Sequence, residues 1–377
     1  MISVSLCMIV KDEEASIGRC LESVHDLVDE INIVDTGSTD RTKEIVSRYT
    51  DRIFDFAWIR DFAAARNFSF AQATREYIFW LDADDYLQEK DREAFRKLKE
   101  TLDPRFDAVV MDYVVSRDPY GRAQLITRRN RLVKRANGFQ WKYPIHEILV
   151  VQGEIFLSSV EVTHEPLKTK EKKRNLSILE EDIARNGLTR RSHYYFANEL
   201  MDNGRLEEAA DCFASFLEGE VENFEDHIAA CGNLAHLYHA RGDDARELHY
   251  LFKTFEYDVP RADYCCRIAL WFELHGKYRQ AIFWYELALK QELPNDYFGL
   301  MNKICWTWAP HVQLAICYAK LGQLEKAYEH NEKALGYMPD DPNLLDNRQK
   351  LESAMQKKAA GAEASAPDGG GSAEENR

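Results

Sequence analysis

The chain opens on an apolar run, Met1–Val10, followed at once by the charged Lys11-Asp12-Glu13-Glu14. Ten residues cannot span a bilayer, which takes about 20. The run lacks the basic leader and cleavage site of a signal peptide, so a buried first strand is expected from Ser3 to Val10. From Ala15 to Val24 the apolar positions Ile17, Cys20, Leu21 and Val24 share one helical face. Alternation continues with a strand at Glu30–Val34, a helix through Ile45 and Val46, and a strand at Arg52–Phe56. A helix at Phe62–Ala73 and a fully apolar strand at Tyr77–Leu81 follow. Continuous apolar strands between helices predict a parallel sheet covered on both faces, with ligands at the carboxyl ends of the strands. Strand signals persist at Ala108–Val115, Gln124–Val133 and Glu147–Val151 while the helical period fades.

The pattern changes after a charged stretch, Glu165–Arg174, with Lys168, Lys170, Lys172, Lys173 and Arg174. From about Leu176 helix follows helix, and the helices repeat. Gly276, Tyr278, Ala281, Tyr285, Ala288 and Pro294 recur as Gly322, Leu324, Ala327, His330, Ala334 and Pro339. An earlier copy has Gly204, Leu206 and Ala209, and a weaker one centres on Gly242. The glycines are 38, 34 and 46 residues apart, near the 34-residue tetratricopeptide period. Gly permits the turn between two helices, small Ala lets them approach, and Pro ends the second. One long amphipathic bundle is the alternative, and the repeated register argues against it. Residues 1–165 therefore read as an α/β domain, 166–190 as a linker and first helix, and 191–358 as tetratricopeptide-like repeats. The tail, 359–377, is rich in Ala, Gly, Ser and Glu and is expected to be disordered.

Composition narrows the function. The 377 residues carry a net charge of −15, against a general nucleic-acid binder. The charge is uneven: residues 1–100 hold 14 basic and 21 acidic side chains, and residues 101–200 hold 17 and 13. Eight basic residues fall between Arg117 and Lys142, Arg128, Arg129 and Arg131 among them, with one acidic, Asp118. They form either a solvated face or a site for a diphosphate or an acidic acceptor. The eight cysteines include no CxxC pair and predict a reduced, cytoplasmic protein. No stretch is long and apolar enough for a transmembrane helix.

The sharpest motif is Phe79-Trp80-Leu81-Asp82-Ala83-Asp84-Asp85. Three carboxylates at the end of an apolar strand need compensation, and a divalent cation with a phosphate ligand supplies it. An exposed acidic turn capping the next helix is the alternative. A second motif, Ile33-Val34-Asp35-Thr36-Gly37-Ser38-Thr39-Asp40, ends a strand on Asp35, which could face a base or ribose. Helix capping by Ser38 or Thr39 is compatible with that role.

In this order, with Asp61-Phe62-Ala63-Ala64-Ala65-Arg66-Asn67 between them, these segments resemble the nucleotide-sugar half of inverting family-two glycosyltransferases over residues 1–165. With the repeats, the whole is similar to bacterial peptide S-glycosyltransferases of glycosylated bacteriocins. Similar catalytic halves occur in lipopolysaccharide-core sugar transferases. The resemblance implies a GT-A Rossmann-like domain followed by an all-α repeat domain. It implies Val10 (through its backbone) and Glu14 beside the nucleobase, and Asp35 facing base or ribose. Asp82 and the adjoining Ala83 belong to the donor site, with Asp82 on ribose or metal. Asp84 binds Mg²⁺ or Mn²⁺ at the diphosphate, and His164 completes the metal shell or is structural. Arg66 lies near the nucleotide or holds the acidic loop in an ion pair. Arg131 falls where relatives carry a strand arginine.

The usual Glu-Asp base pair is missing. In its place stands Trp141-Lys142-Tyr143-Pro144-Ile145-His146-Glu147. Glu147 is the first candidate for the base that inverting transfer requires, and His146 the second. Glu147 could instead orient His146, and Asp112 is a third candidate. The implied reaction moves a hexose from a nucleotide diphosphate sugar, UDP-linked, to a peptide or protein. The repeats would present that acceptor or form a homodimer. A glycan or lipid-linked acceptor and a non-catalytic adaptor are the alternatives.

Overall fold

In a computed structural model the chain is described over residues 1–167, 172–294 and 298–364. The charged Lys168 and Lys170 and the tail from residue 365 onward lie outside those residues. Contacts divide the chain into two units: Met1–Val259 with Pro294–Lys303, and Pro260–Leu293 with Ile304–Arg377.

The first unit begins with the expected alternation. Strands β1 (Val4–Val10), β2 (Glu30–Asp35), β3 (Ile53–Asp55) and β4 (Tyr77–Trp80) are interleaved with helices α1 (Ile17–Val24), α2 (Thr42–Val46) and α3 (Phe62–Ala71). After β4 come a two-residue strand β5 (Asp85–Tyr86) and helix α4 (Glu89–Thr101). Strands β6 (Ala108–Arg117), β7 (Ala123–Lys134), β8 (Trp141–Lys142), β9 (Ile148–Leu149) and β10 (Ile155–His164) complete the α/β part. A further short strand, β11 (Met301–Asn302), pairs with β7. The main sheet runs β3-β2-β1-β4-β7-β6-β10-β5.

The sheet is mixed rather than parallel throughout. β3, β2, β1 and β4 are parallel, but β7 is antiparallel to both β4 and β6. The cause is local. Residues 118–122 form a tight turn in which Asp118 N–H donates to the Arg122 carbonyl, 2.8 Å, and so short a link can only join antiparallel strands. The expected strand at Glu147–Val151 shrinks to β9, which pairs only with β8 in a separate hairpin.

The core packs β1, β2 and β4 against α1 and α4 through Leu6, Met8, Leu21, Ile33, Phe79 and Phe95. The opposite face packs Ile78, Trp80, Val133 and Trp141 against Ala63 and Phe70 of α3.

Helices α5 (Lys172–Asn186), α6 (Arg190–Asp202), α7 (Leu206–Leu217), α8 (Phe224–Ala240) and α9 (Asp244–Lys253) also belong to the first unit. The second unit holds α10 (Ala262–Leu274), α11 (Tyr278–Ala288), α12 (Trp308–Lys320), α13 (Leu324–Tyr337) and α14 (Pro342–Ala364). The repeat register holds in three dimensions. Gly204, Gly242, Gly276 and Gly322 each turn between two helices with φ between 69° and 77°. That left-handed conformation suits Gly. Ala209, Ala281, Ala327 and Ala334 are fully buried at helix contacts. The 46-residue spacing has a cause too: the link between α11 and α12 contains Pro294–Lys303, which joins the first unit and supplies β11. α14 continues through Ala364, so residues 359–364 extend a helix. Ala359, Ala360, Ala362 and Ala364 have the highest helix propensity of any residue type.

Candidate active site

The acidic loop is shaped by its own backbone. Asp85 N–H donates to the Asp82 carbonyl, 3.1 Å, and Asp82 N–H donates back to Asp85 Oδ2, 3.0 Å. β5 then pairs with β10 so that Asp85 stands opposite His164. His164 Nδ1 lies 3.4 Å from Asp85 Oδ1 and 3.5 Å from Asp84 Oδ1. Ligand atoms of Asp84, Asp85 and His164 all fall within 4.8 Å of one another. Burial opposes the His164 imidazolium, but Asp84 and Asp85 outweigh it and push the pKa up to about 9.

This set fits a divalent cation. Asp85 Oδ1 and His164 Nδ1 are buried and make no hydrogen bond among the described residues. Two carboxylates and an imidazole are oxygen and nitrogen donors of the kind Mn²⁺ accepts. Asp84, a quarter exposed, is the carboxylate that faces solvent. Asp85 was counted in the acidic motif, but its register opposite His164 shows only in the fold.

Asp85 also anchors Arg131, whose Nη2 lies 2.9 Å from Asp85 Oδ2, both side chains at most 1% exposed. Arg131 Nη1 donates to the Trp80 carbonyl, 3.2 Å, and its guanidinium stacks on Trp80 and Tyr113. The structure thus places Arg131 beneath the acidic loop. Its strand neighbour Arg129 is exposed and forms no ion pair among the described residues. Arg129 lies within electrostatic reach of Asp82, Tyr113 and Tyr195.

A second chain of charges runs from the loop to the acceptor side. The Asp61 carboxylate caps α3 by accepting from Ala64 N–H, 2.9 Å. That helix presents Arg66, whose Nη2 donates to Asp82 Oδ1 and whose Nε donates to Glu147 Oε1, each 2.7 Å. Its guanidinium lies between Trp80 and Trp141, 5.0 and 4.8 Å from the ring centroids. Burial would push the Asp82 carboxyl up, but Arg66 and then Arg131 hold it down at about 2. Asn67 fixes β8 by accepting Trp141 N–H, 2.8 Å, and donating to the Trp141 carbonyl, 3.0 Å. The Arg-Asn segment therefore ties the acidic loop to the His146–Glu147 loop.

That loop is strained. Tyr143 and His146 have φ of 74° and 51°, unusual for side chains with a Cβ. His146 Nε2 is 2.8 Å from Glu199 Oε1 of α6, and its ring stacks on Tyr195, 4.3 Å away. Arg191 donates to the His146 carbonyl, 2.6 Å. Nothing in the local sequence pattern signals Glu199 or Tyr195, some 50 residues downstream. Asp112 is committed elsewhere, 3.1 Å from Arg128 and 3.4 Å from Lys303.

The residues expected beside the nucleobase lie at the ends of β1 and β2 and in the loop after β1. Asp35 is 1% exposed; its Oδ1 accepts Gly37 and Ser38 N–H, each 2.9 Å, and lies 3.6 Å from Lys43 Nζ, while Oδ2 makes no hydrogen bond among the described residues. Gly37, at φ 105°, permits that turn. The Val10 carbonyl accepts both Thr36 N–H, 2.9 Å, and Thr36 Oγ1–H, 3.1 Å. Glu14 accepts Arg41 N–H, 3.1 Å. Val10 and Asp35 thus stand opposite each other at the carboxyl ends of β1 and β2, with Glu14 in the loop after β1. Ala83 is buried within the acidic loop.

A mixed α/β domain with an acidic loop at a strand end, followed by helical repeats, is the architecture of a glycosyltransferase domain joined to a repeat region. Residues 5–163 match the family described as Glycosyl transferase family 2. The chain thus carries a family-two glycosyltransferase domain, followed by tetratricopeptide-like helices. It is 28% identical over 345 residues to a TPR repeat-containing protein of Synechococcus elongatus, covering 90% of this chain and 76% of that one. It is 32% identical over 167 residues to the lipopolysaccharide core biosynthesis glycosyltransferase LpsC of Rhizobium meliloti, covering 41% and 59%. It is 25% identical over 233 residues to the SPbeta prophage-derived glycosyltransferase SunS of Bacillus subtilis, covering 59% and 54%. The chain thus spans a little over half the length of the last two. Among the described residues no helix is long and apolar enough to cross a membrane, and all eight cysteines are unpaired.

Proposed function

We propose that the chain transfers a hexose, with inversion, from a UDP-linked sugar to a side chain of a peptide or protein presented by the helical repeats. The supporting observation is the Asp84–Asp85–His164 cluster at the end of β4, joined through Asp82 and Arg66 to the His146–Glu147 loop. Asp84, Asp85 and His164 would hold Mg²⁺ or Mn²⁺. When bound, the cation offsets the negative charge of the leaving diphosphate.

The chain's own groups do the rest. Asp35, whose buried Oδ2 makes no hydrogen bond among the described residues, faces the base or ribose. Val10 stands opposite Asp35, and Glu14 lies in the loop after β1. Arg131 keeps Asp85 in place, and Arg66 keeps Asp82 and Glu147 at a fixed separation. The acceptor atom attacks C1 of the sugar as the C1–oxygen bond to the diphosphate breaks. A group on the His146–Glu147 loop takes the acceptor proton. The sequence resemblance to peptide S-glycosyltransferases and the helical repeats favour a peptide acceptor. The LpsC similarity supports a second reading, a glycan or lipid-linked acceptor.

A panel of nucleotide sugars with Mn²⁺, read by nucleotide release, tests the donor. Release from a UDP-sugar that disappears in Asp84→Ala is expected. No release from any donor would leave an adaptor as the better account.

A further inference from the structure

The first repeat helix reaches into the loop that the acceptor chemistry uses. α6 supplies Glu199, Tyr195 and Arg191, and all three touch His146 or its peptide group. We propose that His146 is the base that deprotonates the acceptor and that Glu199, from the repeat region, is its positioning partner. This rests on the transferase reading above and deepens it.

Three observations favour His146 over its neighbour. First, the Glu147 carboxylate is already committed: Arg66 Nε donates to it at 2.7 Å, and its side chain is 13% exposed. Second, His146 is 27% exposed while Glu199 is 3% exposed. A buried carboxylate accepting from Nε2–H fixes the tautomer and leaves the lone pair on Nδ1. Nδ1 makes no hydrogen bond among the described residues, and it is not among the buried polar atoms that lack a partner. Third, the backbone is held in an unfavourable conformation to keep the ring there. His146 and Tyr143 both have positive φ, and Arg191 grips the His146 carbonyl while lying over the Tyr143 and Tyr195 rings. Such strain persists only where surrounding contacts enforce it. Ile145 adds an apolar anchor, packing with Ile178 and Leu179 of α5.

The dyad is linked to the acidic loop through its neighbour Glu147, which Arg66 joins to Asp82 at 2.7 Å on each side. Among the described residues the charged and titratable groups around the ring include Glu199, Arg191 and Tyr195 from α6, Tyr143 and Glu147 from its own loop, Arg66 behind Glu147, and Asp226 of α8, which interacts with Arg191 and Tyr195.

The step balances. His146 Nδ1 takes the proton of the acceptor S–H or O–H. The acceptor atom's electron pair forms the new bond to C1. The C1–O bond breaks and its pair leaves with the nucleoside diphosphate. The imidazolium, stabilised by Glu199, then gives its proton to solvent.

The test uses the full chain, Mn²⁺, the donor found in the panel, and a synthetic basic peptide carrying one Cys and one Ser. Rates are measured from pH 5 to 9. His146→Gln is expected to lower kcat at least about 100-fold with donor KM within about twofold, and to abolish the acidic limb of the profile. Glu199→Gln keeps a hydrogen-bond acceptor but loses the charge. It is expected to lower kcat about tenfold with donor KM within about twofold and with activity recovered in Glu199→Asp, a pattern that a merely structural role would not produce. Near-UV circular dichroism checks that both variants keep the native fold, and His146→Asn serves if His146→Gln does not. An acidic limb that survives in folded His146→Gln, or one that vanishes only in Glu147→Gln, overturns the proposal. A wild type that releases no nucleotide from any donor overturns the transferase reading itself and shows before any variant is made.

Discussion

Replacing Arg131 by Met isolates what holds the acidic loop. The substitution removes the guanidinium but keeps much of the apolar stem. Asp85 then loses its arginine at a depth where the two side chains are only 1% and 0% exposed, and only the weaker contact with His164, 3.4 Å from its Oδ1, remains. Breaking a pair at this depth costs about 3–5 kcal/mol. The lost contacts with the Trp80 ring, 3.9 Å, and the Tyr113 ring, 4.6 Å, act in the same direction. Asp85→Asn keeps an oxygen for the Asp82 N–H but strands the arginine, and a similar cost is expected. The double variant should cost less than the sum by roughly 2 kcal/mol, because the two losses are one interaction. Urea unfolding followed by tryptophan fluorescence reads this directly, Trp80 being in contact with Arg131. The chain has two units, so the transition of the α/β part must be fitted separately. If Arg131→Met costs under about 1 kcal/mol yet raises donor KM tenfold, Arg131 contacts the donor, and the buried-pair argument is wrong.

Asp84→Asn should weaken Mn²⁺ binding at least about tenfold by calorimetry and lower nucleotide release about 100-fold; unchanged binding would remove Asp84 from the metal set. Glu30 gives an acid-stability signature. Burial opposes its charge, but hydrogen bonds from Thr74, Asn32 and Ser5 outweigh this and lower its pKa from 4.5 to about 2. A depressed carboxyl stabilises the fold above the unfolded pKa and loses that contribution as pH falls toward 2. Glu30→Gln should therefore flatten the stability curve between pH 4.5 and 2, by on the order of 2–3 kcal/mol; an unchanged slope in acid titrations would count against it. Ala281→Leu adds volume at a helix contact with no exposed surface. It should cost about 1–3 kcal/mol in thermal unfolding followed by far-UV circular dichroism, and a neutral result would deny the close helix approach.

Much of the molecule was legible in one dimension. Continuous apolar runs and the helical period located β1 to β4 and α1 to α3 because their burial depends on residues adjacent in sequence. The Gly and Ala register located the helix pairs for a similar reason: a left-handed turn and a close approach each constrain a single position. The acidic motif was readable because three carboxylates after an apolar strand need compensation wherever the chain goes. The parallel-sheet expectation broke at β6 and β7, where the short turn at 118–122 reverses the strand and hydrophobicity alone cannot tell the direction.

Pairing across the sequence was decided only in three dimensions. Asp85 meets His164 through the β5–β10 register, and Arg131 meets Asp85 beneath the loop. Arg66 spans Asp82 and Glu147, and Glu199 finds His146 from 53 residues away. A residue's type announces that it can carry charge or accept a proton. Which partner takes up that capacity, and which group is left free to act, depends on contacts between distant segments. Local sequence thus determined which elements and which chemistry this chain can have. The tertiary fold decided which of its charged side chains brace the site and which stay open to a substrate.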